Sequence, residues 1–438
     1  MVRVAAEGGL VALGPRSDAA RRVALGLHGL SHRGPAAGML ALARGKELLR
    51  GAGDAVGLAS GESAAVVGCA GAPSLLAGGL TRDGEVAVAL LGRLTAAEAL
   101  RAELRREGGV LPAGDAALVL HMMARSSQRS LAGRVVEALL KGQGSFAGIV
   151  LSGGQLLAFR DPRGLVPLVV GRVEGTLALA SEGLAIEAMG GEVLREVGPG
   201  ELVLVERDQV TALRPFPPRA RAKCALESLS LGRSDAADVV LRRALGIRLA
   251  ALSPVPGLEG VVAPRGAEAC GLGFAEGGRS ALLPALGCED PGAAALAEGL
   301  EDLNLEARAA LRPLSAWLKG KVVALVLDHL AAEEGVQRLA RALRAGGAAA
   351  VHLRVCSPPL RARCALGVRF PPLAPATPDP EVLGVDSLAF LPGAELDRAL
   401  ADHSAGWCTA CLGGPSPLLE ERGAVEQLEM FRGKGGAE

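Results

Sequence analysis

Apolar positions in the first 215 residues fall in short runs broken by turn residues. Ile149-to-Ser152 ends at Gly153-Gly154, and Gln155-to-Phe159 leads into Arg160-Asp161-Pro162-Arg163-Gly164. Leu177-to-Ala180 and Leu202-to-Val205 read as further strands. Helix-period patterns intervene at 18–30, 96–107, 115–124 and 131–141. Thr95 precedes Glu98 at capping-box spacing, and Asp115 is a second helix start. The pattern predicts an α+β arrangement with αββα layers. Arg214-Pro-Phe-Pro-Pro218 is a linker, because proline restricts the backbone and ends regular structure.

Beyond the linker the pattern changes. Lys321 to Asp328 is a nearly continuous apolar run, as expected of a parallel strand buried on both faces. An amphipathic helix follows over Glu333 to Ala345, closed by Gly346-Gly347, and Ala350 to Val355 is the next strand. Glu381-to-Val385 and Leu388-to-Leu391 read as additional strands, after a proline-rich surface loop over 371–380. The second half is therefore α/β. The predicted domains are 1–215, 216–395 and a C-terminal segment, 396–438.

Composition sharpens this picture. The 438 residues carry 47 basic and 47 acidic side chains, so the basic footprint of a nucleic-acid binder is missing. No run of about 18 uncharged apolar residues suggests a transmembrane helix. No signal-peptide pattern follows Met1, and the expected location is the cytoplasm. Half the residues are hydrophobic but 2% are aromatic, so the cores must be built from small aliphatic side chains. In a reducing compartment, cysteines are metal ligands or buried thiols rather than disulfides. Cys408-Thr-Ala-Cys411 is the one tight pair.

Several segments taken together resemble the glutamine phosphoribosylpyrophosphate amidotransferase family. They are Leu25 to Gly34 (LGLHGLSHRG), Leu94 to Arg101, Phe159 to Leu168 (FRDPRGLVPL), Ala180-Ser-Glu182, Val197 to Glu201, and Gly320 to Pro359. Their order and spacing span nearly the whole chain. The resemblance implies an N-terminal Ntn-hydrolase αββα sandwich that releases ammonia from glutamine. It also implies a C-terminal type I phosphoribosyltransferase-like parallel sheet that consumes the ammonia.

Carried over residue by residue, the resemblance finds most of the chemistry missing. The family nucleophile is a cysteine at the mature N-terminus, whose own amine is the base. Gly8 stands at that position, within Gly8-Gly9-Leu10-Val11-Ala12. The oxyanion donor is an asparagine in His-Asn-Gly-Asn, where this chain has Leu90-Leu91-Gly92-Arg93. The chain's single asparagine, Asn304, lies in the second half. Gly68 to Ser74 lacks the arginine that would clamp the glutamine carboxylate. Gly92 and Asp115 remain as substrate-binding remnants, although Asp115 reads more simply as a helix cap. Cys69 lacks the free amine and reads as a core residue.

In the transferase half, two acids and a Gly-Thr-Thr loop should hold ribose and 5-phosphate at a helix N-terminus. Leu327-Asp328-His329 keeps one acid, Asp328, while Glu333 and Glu334 replace Gly-Thr. Two carboxylates repel phosphate but suit the first turn of a helix. A strand-end aspartate such as Asp328 is ordinarily a cap or surface group. Pro284 to Asp290 is acidic where the family's pyrophosphate clamp is basic.

One family branch carries a [4Fe-4S] cluster, and its four cysteine positions match Cys224, Cys364, Cys408 and Cys411. Zinc on the same thiolates is the alternative, and magnesium is expected only if phosphoribosylpyrophosphate still binds. Cys270, Cys288 and Cys356 are expected in the core, as are Met122 and Met123. His28, His32 and His352 are expected to pack in apolar surroundings. Arg44 to Arg50 reads as a mixed-charge surface segment, and the charged tail after Leu418 as a solvated helix or fray.

The implied protein is a family member inactive in both half-reactions. It would serve as a structural or regulatory homologue, as a homo-oligomer or in a hetero-oligomer with an active relative, without nucleic acid or membrane. The alternatives are an active amidophosphoribosyltransferase, and a purine-nucleotide or redox sensor.

Overall fold

The computed structural model describes residues 8–34, 39–44, 47–52, 64–82, 84–107, 112–206, 209–231, 235–287, 311–330, 332–362, 364, 377–401 and 406–417. Cys288, Asn304 and the tail after Leu418 lie outside the described residues.

Two antiparallel sheets form the first half. One has the order β11-β9-β10-β1-β4-β2-β3. Its strands are β1 (Gly8–Arg16), β2 (Met39–Arg44), β3 (Glu47–Ala52), β4 (Ala64–Gly71), β9 (Val169–Val173), β10 (Thr176–Ala180) and β11 (Glu192–Glu196). The other has the order β13-β12-β8-β7-β6-β5. It comprises β5 (Leu76–Thr81), β6 (Gly84–Leu94), β7 (Gly144–Ser152), β8 (Gln155–Arg160), β12 (Leu202–Glu206) and β13 (Gln209–Leu213).

Alternate side chains of β1, β4, β6 and β7 meet between the sheets in a core of Ala, Val and Leu. Helices α1 (Ala19–Gly29) and α5 (Gly183–Ala188) cover the outer face of the first sheet. Helices α2 (Ala97–Arg106), α3 (Asp115–Arg125) and α4 (Leu131–Gly142) belong to the layer outside the second. The expected αββα layering is present. Scarce aromatics are placed where they count: Phe146 and Phe159 meet edge-on, with ring centroids 5.9 Å apart, a contact worth about 0.5–1.5 kcal/mol beyond area burial.

After a coil over 214–221, β14 (Ala222–Cys224) precedes α6 (Ala225–Ser230) and α7 (Ala236–Leu252). A parallel sheet then has the order β15-β16-β17-β18: Gly260–Val262, Val322–Leu327, Ala350–Val355 and Ser387–Phe390. Its flanking helices include α8 (Glu268–Gly277) and, preceded by the short α9 (Ser315–Leu318), α10 (Glu333–Ala345). Helices α7 and α8 approach so closely that a Cβ on Gly273 would sit 1.9 Å from the Arg243 carbonyl oxygen. Late in the chain, β19 (Gly406–Cys408) pairs in parallel with β14, setting Cys224 opposite Cys408.

Three expectations about local structure are corrected. Thr95 caps nothing: the N-cap of α2 is Ala96, without a side-chain bond. The amides of Thr95 and Ala96 are instead held by the carbonyls of Gln143 and Gly142 at the end of α4. Glu381-to-Val385 is not a strand. Residues Pro380–Leu383 form a one-turn helix, α11, capped by the Asp379 carboxylate and stopped by Gly384 at φ 72°. His28 is exposed rather than packed. Met123 is buried as expected, and residues 47–50 are largely exposed. Among the described residues, no helix is long and apolar enough to cross a membrane.

Candidate functional site

Gly8 begins β1 and pairs with Gly71 of β4. Its φ is +124°, and a Cβ there would lie 1.8 Å from the Ala70 carbonyl oxygen and 2.6 Å from Leu75 Cδ1. The paired strand leaves no room for a side chain at position 8. Gly92, on β6, is similar: φ is +90°, and a Cβ would lie 2.2 Å from the Ser145 carbonyl oxygen. Its neighbour Leu91 is buried between the sheets and offers no donor to an oxyanion.

Asp115 is not the cap of its own helix, because the N-cap of α3 is Gly114. Its carboxylate accepts from the Leu94 amide at 2.9 Å and from Arg101 Nη2 at 2.7 Å. It therefore ties the end of β6 to α2, and both carboxylate oxygens are engaged. Cys69 is fully buried on β4, and burial pushes its thiol up to about 11, the reverse of nucleophile activation.

Ligands in open α/β sheets bind outside the carboxyl ends of the strands. Here that edge holds a polar cluster in which the buried His329 Nε2 has no hydrogen-bond partner among the described residues. Asp328, half-buried rather than a cap or surface group, accepts from the His329 amide at 2.8 Å. His329 Nδ1 lies 3.0 Å from Asp328 Oδ1 and 2.9 Å from Ser230 Oγ. Cys270 and Cys356 are fully buried and hydrogen-bonded to each other. The first turn of α10 carries Glu333 and Glu334, and its N-cap, Ala332, makes no side-chain bond. Negative side chains thus complement the positive end of the α10 dipole and disfavour an anion there.

Cys224, Cys408 and Cys411 are buried and Cys364 is half-buried. The Arg361 amide donates to the Cys411 carbonyl at 2.7 Å, bringing the segment before Cys364 against the Cys408–Cys411 turn. Neighbouring thiols act on Cys224 and Cys411. Burial pushes the Cys224 thiol up strongly, and Cys364, Cys411 and Cys408 add to it. Burial, then Cys364 and Cys408, push Cys411 up to about 12. Amides already point at two of them: Glu227 N–H at Cys224, and Cys411 and Leu412 N–H at Cys411. Among the described residues, no group of three or more His, Cys, Asp or Glu is arranged to hold a metal ion as it stands. The donor chemistry fits a thiolate-bound centre: burial and the neighbouring thiols hold Cys224 and Cys411 protonated, and a bound cation reverses that effect.

Sequence reasoning missed the charged network beside Cys224. Arg33, 3% exposed, bridges Glu182 and Glu227. His32 Nε2 lies 2.9 Å from Glu182 Oε1, so it is hydrogen-bonded to a carboxylate rather than packed among apolar groups. Burial alone would raise the Glu182 carboxyl, but Arg33 and His32 outweigh it and hold it at about 2. Part of the signal was present: Arg33 and Glu182 both lie in segments that carry the resemblance. His352, also expected to pack, is half-buried and bonded to Ser387 Oγ at 2.8 Å.

Comparison with known proteins gives consistent results. A glutamine amidotransferase domain matches residues 78–188. The chain is 31% identical over 476 residues to amidophosphoribosyltransferase 2, chloroplastic, of Arabidopsis thaliana, spanning 96% of this chain and 81% of that protein. It is 27% identical to the amidophosphoribosyltransferase of Rhizobium etli, over 87% of this chain and 85% of that one. Among solved structures, glutamine phosphoribosylpyrophosphate amidotransferase from B. subtilis, complexed with ADP and GMP, has the same fold. Its TM-score is 0.79 at 24% identity, over 93% of this chain and 97% of that one.

Proposed function

The chain belongs to the amidophosphoribosyltransferase family, and from that we propose that it retains the scaffold while performing neither half-reaction. It acts as a structural or regulatory homologue, in the cytoplasm, within a homo-oligomer or a mixed oligomer with an active relative. The observation that carries this reading is Gly8, where the Ala70 carbonyl occupies the space a catalytic side chain would fill. Asp115, engaged by Arg101, and the acidic start of α10 support it.

We assign Cys224, Cys364, Cys408 and Cys411 as ligands of a [4Fe-4S] cluster, with zinc as the competing occupant. A bound centre supplies the positive charge that four crowded thiolates require, and cross-links three distant segments. Magnesium enters only with phosphoribosylpyrophosphate.

The test is direct. Purified protein is assayed for ammonia release from glutamine and for phosphoribosylpyrophosphate consumption with ammonia and magnesium. Turnover is expected below roughly 1% of a typical ~10 per second, and faster turnover in either assay refutes inactivity. Anaerobic purification with iron, sulfide and zinc analysis tests the centre. Iron with sulfide supports the cluster, zinc alone replaces it, and neither removes it.

A further inference from the structure

The Thr409 hydroxyl is buried and has no hydrogen-bond partner among the described residues. It belongs to Cys408-Thr-Ala-Cys411, directly after the first cysteine of that pair. Thr409 is 4% exposed, so bulk water does not solvate the group.

The main chain around it is already engaged. The Thr409 amide donates to the Pro415 carbonyl at 3.0 Å. Its carbonyl accepts from the Leu412 amide at 2.8 Å and from the Gly414 amide at 3.1 Å. These bonds close the turn and leave the hydroxyl out. The side chain lies against Gly414, where a Cβ would sit 2.2 Å from Oγ1. A hydroxyl buried without a bond forfeits the ones it makes in water. Such a group in a folded protein marks a missing acceptor, a buried water or a bound ion.

Position in the chain selects between them. Cys408 and Cys411 flank the hydroxyl in sequence, and both are buried. Thiolates and sulfides of a bound centre carry negative charge and accept hydrogen bonds, and such bonds are one means by which a protein sets a reduction potential. Main-chain donors already serve two of the cysteines, Glu227 N–H at Cys224 and Cys411 and Leu412 N–H at Cys411. Thr409 adds a side-chain donor that a substitution can remove while the backbone stays.

We propose that the Thr409 hydroxyl donates a hydrogen bond to a sulfur of the centre held by Cys224, Cys364, Cys408 and Cys411, as a positioning residue that raises its reduction potential. The inference rests on the assignment of these cysteines to a [4Fe-4S] cluster, and it does not depend on the loss of catalysis. Reduction adds an electron, and with it negative charge on iron and sulfur. A donor to sulfur therefore stabilises the reduced form more than the oxidised one, and its removal lowers the potential.

The full chain is purified anaerobically as the parent, as Thr409→Val, which keeps the shape and loses the O–H, and as Thr409→Ser, which keeps the O–H. Thr409→Ala removes the same O–H with a smaller side chain, should the valine methyl disturb the turn beside Gly414. Each protein is analysed for iron and sulfide and titrated with dithionite under electron paramagnetic resonance detection. All are expected to hold equal iron and sulfide. The valine and alanine variants are expected to reduce at a lower midpoint, and serine to restore the parent value, a rescue that a space-filling role would not produce. Equal midpoints in the parent and both variants lacking the O–H overturn the proposal, leave the cysteine assignment standing and give the hydroxyl to a buried water. A serine variant that stays at the lowered midpoint also overturns it. A parent without iron and sulfide overturns the assignment on which it rests, and the proposal with it.

Discussion

Restoring the missing thiol at position 8 is expected to fail, and the structure says by how much. Gly8→Cys must adopt φ +124°, a region that side chains rarely enter, at a cost of about 1–3 kcal/mol. Its Cβ would also overlap the Ala70 carbonyl at 1.8 Å, an atom of the paired strand that cannot rotate away. Forcing strands apart in a packed core costs a further 1–3 kcal/mol, roughly. The sum is about 4 kcal/mol, which lowers the melting midpoint of a unit of this size by roughly 8–16 °C. Two variants should be compared with the parent by scanning calorimetry and ammonia release from glutamine. One is Gly8→Cys in the full chain, and the other begins at that cysteine so that its amine is free. Both are expected to melt early, the shortened one through the Ala70 overlap alone because a first residue has no φ, and to release ammonia no faster than the parent. A variant as stable as the parent, or one that hydrolyses glutamine, would refute the argument that the paired strand leaves no room at position 8.

Other expectations follow from buried groups. Cys69, with its thiol at about 11 and no exposure, should resist iodoacetamide at pH 8 in the folded protein and react once urea unfolds it; rapid native labelling counts against its burial. The Glu182 carboxyl is held at about 2 against an ordinary 4.5, so its stabilisation is complete above pH 4.5 and disappears as pH falls toward 2. The shift corresponds to about 3 kcal/mol. Glu182→Gln should lower urea resistance at neutral pH and flatten the acid dependence; an unchanged acid profile would mean Arg33 is not its partner. Gly273→Ala should destabilise the α7–α8 pair by roughly 1–3 kcal/mol, read as a lower urea midpoint. A neutral result would show that the two helices can separate.

Elements whose signals are local were legible in the sequence. The run before Asp328 gave a strand at Val322–Leu327, and the amphipathic pattern after it gave a helix at Glu333–Ala345. Glu381-to-Val385 reads as a strand because three apolar residues in five mimic one, while the Asp379-Pro380 start and Gly384 stop specify one helical turn. What could not be read was long-range. The obstruction at Gly8 comes from Ala70, and the engagement of Asp115 comes from Leu94 and Arg101. Periodicity carries no register between such segments. The loss of candidate chemistry was visible as missing residue types, whereas the Arg33 network required knowing that residues 33, 182 and 227 meet.

The pairing of β14 with β19 bears on how the molecule is made. Cys224 and Cys408 sit opposite each other although 184 positions separate them (408 less 224). Loop closure over such a separation is slow and depends on the intervening sheet. On the ribosome, the edge of β14 therefore stays open until residues 406–408 have emerged. A translation halt before Gly406 leaves Cys224 without its opposite cysteine and β14 without its partner strand.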